Sequence, residues 1–132
     1  MNAKPKPDIT SLNVPFWEGT AKGELRIQHC DACGANFRFT HPWCPSCWTA
    51  DPGWTVASGE GVVATYSVLH IAPFAAFEDR LPYVLALIDL KEGVRMMANI
   101  VECEPKDVRI GMPVHVIYED RDGIALPQFR PA

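Results

Sequence analysis

The sequence predicts a mainly β protein, in which a short N-terminal helix precedes a small cysteine-rich ribbon and a five-stranded barrel. Two C-x-x-C pairs, Cys30 with Cys33 and Cys44 with Cys47, are separated by ten residues. After them, short alternating or apolar segments bounded by turns continue to the C-terminus, a pattern typical of strands. With 132 residues, the chain is long enough for one domain of ordinary size or two small modules.

Residues 1–23 are predicted to form an N-terminal lead and a helix. The run Lys4 to Pro7 is polar and proline-rich, which favours disorder over residues 1–12. A helix then begins near Ser11 or Asn13 as its cap, has Pro15 in its first turn, and ends at Gly19 or Gly23. Two alternatives stay open for the helix aromatics Phe16 and Trp17: they pack on the ribbon or the barrel, or they dock on a partner protein.

Residues 24–57 are predicted to form the ribbon. An alternating strand from Leu25 to His29 leads into the first cysteine pair, and the segment from Phe37 to Phe39 alternates again. Trp43, Trp48 and Trp54 surround the second pair. A ribbon of this size buries little apolar surface, so a bound metal and a few aromatic side chains are expected to stabilise it.

The four cysteines at this spacing predict one structural zinc ion, because two facing C-x-x-C turns supply four thiolates in a tetrahedron. A closed site of this kind has no open position for a substrate. His29 and His41 are neighbouring candidates to replace one ligand. Two disulfides would require an oxidising compartment, and a redox-active C-x-x-C would lie near a βαβ pattern that the sequence lacks.

Residues 58–132 are predicted to form the barrel. Strands are expected over 61–71, 83–90, 95–102, 113–119 and 124–129, with a helical turn over 105–111 and hairpin turns at 91–93 and 121–123. Alternation in the first strand places Val62, Ala64, Tyr66 and Val68 on one face and the residues between them on the other. This order of elements matches a small Greek-key barrel of the OB type.

The connection from Leu69 to Pro82 is long for a barrel of this size and contains Phe74 and Phe77. It either folds back over the barrel or contacts a partner or an acyl chain. The C-terminal segment around Phe129 is apolar and is expected to be held against the barrel or a partner. Cys103 is expected to be a buried, inert thiol, and His70 and His115 to lie in strands without a catalytic neighbour.

Charge and hydropathy limit the possible partners. Sixteen acidic residues outnumber twelve basic ones, giving a net charge of −4, and no cluster of Lys and Arg occurs. Nucleic-acid binding, the alternative function for a ribbon joined to an OB barrel, is therefore disfavoured. The polar N-terminus and the short apolar runs predict a cytoplasmic protein that does not enter a membrane.

Several motifs in a fixed order give the chain a resemblance to a known family. They are F-W-E-G at 16–19, G-E-L-R-I-Q-H-C-D-A-C-G at 23–34, C-P-S-C at 44–47, P-Y-V-L-A-L-I-D-L at 82–90, I-G-M-P-V at 110–114 and A-L-P-Q-F-R-P at 125–131. The chain resembles, from about Phe16 to Pro131, the zinc-ribbon/OB-fold acyl-CoA-associated proteins, a family formerly known only as a domain of unknown function.

This resemblance implies a rubredoxin-like zinc ribbon, with Cys30, Cys33, Cys44 and Cys47 as ligands of one structural Zn²⁺, followed by an OB-fold domain. It also implies a non-catalytic accessory subunit of a thiolase-like enzyme, either a thiolase or a sterol-carrier-protein-type aldolase of steroid or lipid metabolism. The barrel would contact or channel an acyl-CoA ester, and the partner would supply the catalytic nucleophile. The candidate docking residues are Phe16, Trp17, Phe74, Phe77 and Phe129.

Overall fold

The computed structural model describes residues 4–38 and 40–132, and it confirms a mainly β protein with a helix, a ribbon and a barrel. The prediction for Phe39 lies outside the described residues. Two short 3₁₀ helices cover Ala75–Arg80 and Pro105–Asp107. The main elements in chain order are α1 (Val14–Ala21), β1 (Leu25–His29), β2 (Asn36–Phe37), β3 (Gly53–Ala57), β4 (Glu60–Leu69), β5 (Tyr83–Leu90), β6 (Arg95–Ile100), β7 (Pro113–Arg121) and β8 (Ile124–Pro131).

The N-terminal helix begins after Asn13 and continues through Gly19 to Ala21. The Asn13 side chain makes no hydrogen bond to the first turn of the helix. Its Oδ1 instead accepts the backbone N–H of Thr10 at 2.7 Å. Residues 4–10 form neither helix nor strand, yet Lys4 reaches Asp79 in the barrel connection at 3.0 Å.

The ribbon is a three-stranded antiparallel sheet with the order β2-β1-β3. The central strand β1 buries Leu25 and Ile27, which are 1% and 0% exposed. These two side chains lie on the face that α1 covers with Phe16. The ribbon therefore adds its apolar residues to a core that it shares with the helix.

The barrel is closed, with the strand order β4-β5-β6-β8-β7. Its pairs are antiparallel except that β6 and β8 run parallel where Ile100 meets Phe129. This connectivity is that of an OB fold. The predicted helical turn is present but shorter than expected, over Pro105–Asp107.

A β-bulge in β4 corrects the predicted alternation of that strand. Val63 pairs with Ile88 and Thr65 pairs with the adjacent Leu87, so Ala64 is the extra residue. Because a bulge reverses the phase of alternation, Val63 lies inside the barrel together with Tyr66 and Val68. Val62, predicted to share their face, is 41% exposed.

One apolar core runs from the ribbon into the barrel. Phe16, Leu25 and Ile27 belong to the same buried cluster as Val63 and Phe129. A polar contact also joins the two parts at the β5–β6 turn. There the Glu92 carboxylate accepts the Ser58 N–H at 2.8 Å, and the Glu92 carbonyl accepts the Asn36 amide at 3.4 Å.

Candidate functional site

The four cysteine sulfurs converge on one point of the ribbon. All four lie within 4.8 Å of one another, and the Sγ atoms of Cys30 and Cys47 and of Cys33 and Cys44 are each 3.6 Å apart. A tetrahedral Zn²⁺ with Zn–S bonds of about 2.3 Å separates its sulfurs by about 3.8 Å. The four cysteines are unbridged, and the arrangement fits a single zinc ion.

The backbone of each cysteine pair forms the same turn. The N–H of Gly34 donates to the Cys30 carbonyl at 2.7 Å, and the N–H of Trp48 donates to the Cys44 carbonyl at 2.9 Å. Gly34 and Trp48 occupy equivalent positions, with φ of +79° and +66°. Glycine adopts this left-handed conformation freely, whereas a tryptophan is strained there.

The electrostatics of the site also favour a bound cation. The hydroxyl of Thr49, 3.1 Å from the sulfur, and its backbone N–H lower the pKa of the Cys47 thiol to about 6. For Cys33, a backbone hydrogen bond from Ala35 is opposed by desolvation and the neighbouring thiols, which together raise the pKa to about 12. Like charges this close do not all ionise without a cation, so four thiolates in one place require a metal.

Neither candidate histidine joins the four sulfurs in the described part of the chain. The Nδ1 of His29 is hydrogen-bonded to the Asn36 side chain at 2.7 Å, and the His41 ring lies against Phe37. With four thiolates and no labile ligand, a zinc ion here has a structural role and leaves the chemistry of a substrate to other groups.

Two of the ribbon tryptophans are exposed, which the sequence did not reveal. Trp43 is 46% exposed and Trp48 is 70% exposed. Their rings stack with centroids 6.0 Å apart and an interplanar angle of 27°. Only Trp54 of the three packs against the core, so Trp43 and Trp48, here called the tryptophan pair, contribute little to holding the ribbon together.

The predicted docking residues lie in different environments. Phe16 and Phe129 are 2% and 0% exposed and belong to the core, so a partner cannot reach them in this structure. Trp17 packs against the core with its ring perpendicular to that of Phe16. Phe77 folds back towards Tyr83, with ring centroids 6.4 Å apart, whereas Phe74 is 60% exposed.

A cavity of about 400 Å³ lies where the 71–82 connection meets the barrel. Strands β5, β6, β7 and β8, the connection and the segment after β6 all contribute to it. Its lining combines apolar side chains with polar and charged ones: Phe77, Arg80, Pro82, Tyr83, Val84, Leu85, Asn99, Ile100, Val101, Glu102, Cys103, Pro105, Arg121 and Gln128. A concave, partly apolar site of this volume is typical of small-molecule binding.

Two arginines of the cavity share one carboxylate. Glu119 accepts hydrogen bonds from Arg80 and Arg121, each at 2.9 Å. Partial burial opposes ionisation of Glu119, but these hydrogen bonds outweigh it and lower its pKa. Glu102 also lines the cavity, so two arginines and two carboxylates lie in or beside it.

The remaining candidates from the sequence are one cysteine and two histidines. Cys103 is partly exposed rather than buried, and burial followed by the carboxylates of Asp107 and Glu104 raises the pKa of its thiol. His70 lies just beyond the end of β4 rather than within a strand, whereas His115 is in β7.

Within residues 4–38 and 40–132, no helix is both long and apolar enough to cross a membrane.

Comparison with known proteins agrees with this architecture. Residues 17–53 match the model of the rubredoxin-like zinc ribbon domain of ChsH2, and residues 54–118 match that of its C-terminal OB-fold domain. In a solved structure described as "Ltp2-ChsH2(DUF35) aldolase", one chain is 38% identical and superposes with a TM-score of 0.86. The match covers 96% of this chain and 98% of that one.

Curated relatives come from bacteria and archaea. A probable enoyl-CoA hydratase alpha subunit of Thermomonospora curvata is 39% identical over 98% of this chain, which spans 40% of that subunit's length. The benzoylsuccinyl-CoA thiolase subunit BbsA of Geobacter metallireducens is 28% identical over 72% of this chain and 64% of its own length.

A DUF35 domain-containing scaffold protein of Methanothermobacter thermautotrophicus is 34% identical over 72% of this chain and 75% of its own length. Both family models, the arrangement of ribbon and barrel, and the extent of this match lead to one conclusion: the chain belongs to the DUF35 family of zinc-ribbon/OB-fold proteins.

Proposed function

We propose that this chain is a non-catalytic accessory subunit that binds a thiolase-like enzyme, either a thiolase or an aldolase, and helps to bind or channel its acyl-CoA ester. The observation that carries the proposal is the similarity, at a TM-score of 0.86 and 38% identity, to a chain of the Ltp2-ChsH2(DUF35) aldolase. A relative named as a thiolase subunit supports the same class of partner.

The chemistry of the site is consistent with an accessory role. The four-cysteine centre is closed, so a zinc ion bound there does not activate a substrate. The pKa of Cys103, the thiol in the cavity, is raised rather than lowered, which is the opposite of what a catalytic thiol requires. The nucleophile of the reaction therefore belongs to the partner.

The tryptophan pair is the best-supported docking surface. Trp48 stays in a strained backbone conformation with most of its side chain in solvent, and strain of this kind concentrates at functional sites. Tryptophan is also among the residues that contribute most to binding at protein interfaces. Phe74 and Ile71, which are 60% and 85% exposed, give the barrel connection a second exposed apolar surface.

The test is co-expression of this chain with the thiolase-like proteins encoded near its gene, followed by size-exclusion chromatography and affinity measurement. We expect a stable complex whose dissociation constant rises by about tenfold or more in Trp48→Gly and in Phe74→Ser. The matched control is Ile110→Ser, because Ile110 is 69% exposed and lies in neither surface; its affinity should be unchanged.

Two results would contradict this proposal. If the chain elutes alone with every such enzyme, it is not a subunit of their complexes. Tight and salt-sensitive binding of oligonucleotides would favour the nucleic-acid function instead, with the tryptophan pair stacking on bases.

A further inference from the structure

The 71–82 connection receives little support from the core. Its 3₁₀ helix, Ala75–Arg80, contains no buried residue and has no side-chain cap, and Phe74 before it is 60% exposed. Segments with few buried contacts open locally at a low free-energy cost. Polar and aromatic contacts from other parts of the chain must therefore hold this connection against the barrel.

Residues 4–6, here called the strap, contact the connection directly. The ammonium group of Lys4 is 3.0 Å from the Asp79 carboxylate and 5.8 Å from the centre of the Phe77 ring. The side chain of Lys4 is only 17% exposed. Because Lys4 is partly shielded from water, its attraction to both the carboxylate and the aromatic ring is strengthened.

The strap also reaches the end of the β7–β8 hairpin. The Pro5 carbonyl accepts a hydrogen bond from Arg121 at 3.3 Å, and the Lys6 ammonium lies 3.3 Å from the Asp122 carboxylate. The Arg121 guanidinium is in turn 5.5 Å from the centre of the Phe77 ring. Phe77 is thus contacted by two cations, one that belongs to the strap and one that is hydrogen-bonded to it.

These contacts link the strap to the cavity between the connection and the barrel. Phe77 and Arg121 line that cavity, whereas none of residues 4–6 does, so the strap acts on the cavity wall from outside. The connection has a separate attachment at its C-terminal end, where Arg80 donates to Glu119 in β7 at 2.9 Å. The strap therefore holds the part of the connection that precedes Arg80.

The strap is attached in a way that permits release. The side chains of Asp79, Lys6 and Asp122 are exposed, and exposed ion pairs are individually weak and are screened by salt. Detachment of the strap also uncovers no buried residue of the 3₁₀ helix. Weak polar contacts on a segment without a core of its own are typical of a part that opens and closes.

We propose that the strap is a latch for the 71–82 connection. While the strap is attached, Phe77 closes one wall of the cavity; when it detaches, the connection moves away from the barrel and the cavity opens. This inference concerns access to the cavity and does not depend on the proposed function, since it specifies neither a ligand nor a partner enzyme.

The first test reverses the charge of the strap. Lys4→Glu replaces the attraction to Asp79 by a repulsion, and hydrogen exchange of the zinc-loaded full chain is followed by mass spectrometry. We expect exchange in peptides from the connection to become faster by about tenfold, with β5 and β6 unchanged. The double variant Lys4→Glu/Asp79→Lys restores an ion pair of opposite polarity and should return the protection close to that of wild type.

A cysteine reports on the cavity itself. Cys103 lines the cavity, is unbridged and is partly exposed, so iodoacetamide is expected to label it while zinc protects the four ribbon cysteines. Labelling of Cys103 should be several-fold faster in Lys4→Glu. It should return to the wild-type rate in the double variant.

The matched control is Lys91→Glu, which reverses one charge in another exposed pair, that of Lys91 with Glu60 at 3.6 Å. It should change neither hydrogen exchange of the connection nor labelling of Cys103. A salt series needs no variant: raising the salt from about 0.02 M to about 0.5 M shortens the Debye length. This should speed exchange of the connection, relative to β5 and β6, in wild type but not in Lys4→Glu.

Three results would overturn the latch. Unchanged exchange of the connection in Lys4→Glu, or in wild type at high salt, would show that the strap does not hold it. A rise in exchange shared equally by β5 and β6 would indicate a general loss of stability instead of a local release. Faster exchange of the connection with unchanged labelling of Cys103 would show that the connection moves without opening the cavity.

Discussion

The two turns of the ribbon show how the same backbone position serves different purposes. Gly34 and Trp48 each follow the second cysteine of a pair, and each has a positive φ. Glycine satisfies that geometry without cost, whereas Trp48 carries a large exposed ring. The ribbon thus retains strain at the turn where an interaction with another molecule would make use of the side chain.

Substitution Gly34→Ala should isolate the energetic cost of this conformation. A Cβ at this position meets no atom within 4 Å, so the loss comes from the backbone alone and should be about 1–2 kcal/mol of unfolding free energy. Chemical denaturation of the zinc-loaded protein measures it.

Trp48→Gly is the reciprocal variant in the second turn. Relief of backbone strain should offset the lost ring stacking and the added chain entropy, leaving stability within about 1 kcal/mol of wild type. A large loss of stability in Trp48→Gly, or none in Gly34→Ala, would show that the two turns do not carry the strain that their φ angles imply.

Among the elements, β4 closes the barrel and depends on one glycine. Gly61 pairs with Leu90 in β5 and with Val114 in β7, so it has a strand on each side. A Cβ there would lie 2.8 Å from the Asp89 carbonyl oxygen and from the Ile88 side chain. The Asp89 carbonyl is part of the backbone, so it cannot move aside as easily as a flexible side chain.

Gly61→Ala should therefore lower the free energy of unfolding by about 1–3 kcal/mol through overpacking. Gly53→Ala in β3 is the control, because its Cβ would meet the nearest atom, the His29 carbonyl, at 3.6 Å, an ordinary contact distance. Equal stability losses in the two variants would argue against a close-packed closure of the barrel.

The boundaries of the elements could largely be predicted from the sequence, but the faces of β4 could not. The Asp122-Gly123 pair predicts a hairpin turn, and the apolar run of β5 predicts a strand. Both predictions depend only on neighbouring residues in the sequence. The bulge at Ala64 depends on how β4 bends between two neighbours, which is a tertiary effect. In the same way, cysteine spacing predicts the metal ligands, whereas the cavity joins Gln128 to residues far away in the sequence and leaves no local pattern.

At the scale of the whole molecule, the metal centre and the barrel are linked through one core. We expect the purified protein to contain about one zinc ion per chain, as four thiolate ligands imply. Zinc binding contributes about 10–16 kcal/mol in small zinc domains, which is comparable to the stability of an entire domain.

Removal of zinc with a chelator should therefore destabilise the barrel as well as the ribbon, because Phe16, Leu25 and Ile27 would leave the shared core. Calorimetry is expected to show a lower unfolding temperature for the whole chain, restored by adding back zinc. An unfolding transition of the barrel that chelation leaves unchanged would show that the two parts are stable independently.

The contact at the β5–β6 turn has a geometric consequence. Glu92 bonds to Asn36 of the ribbon and to Ser58 between β3 and β4, and the shared core restricts the angle between the two parts. A partner protein that binds the ribbon therefore also fixes the orientation of the barrel cavity relative to the partner's surface. Orientation, rather than added binding strength, is then what this small chain would supply to an enzyme.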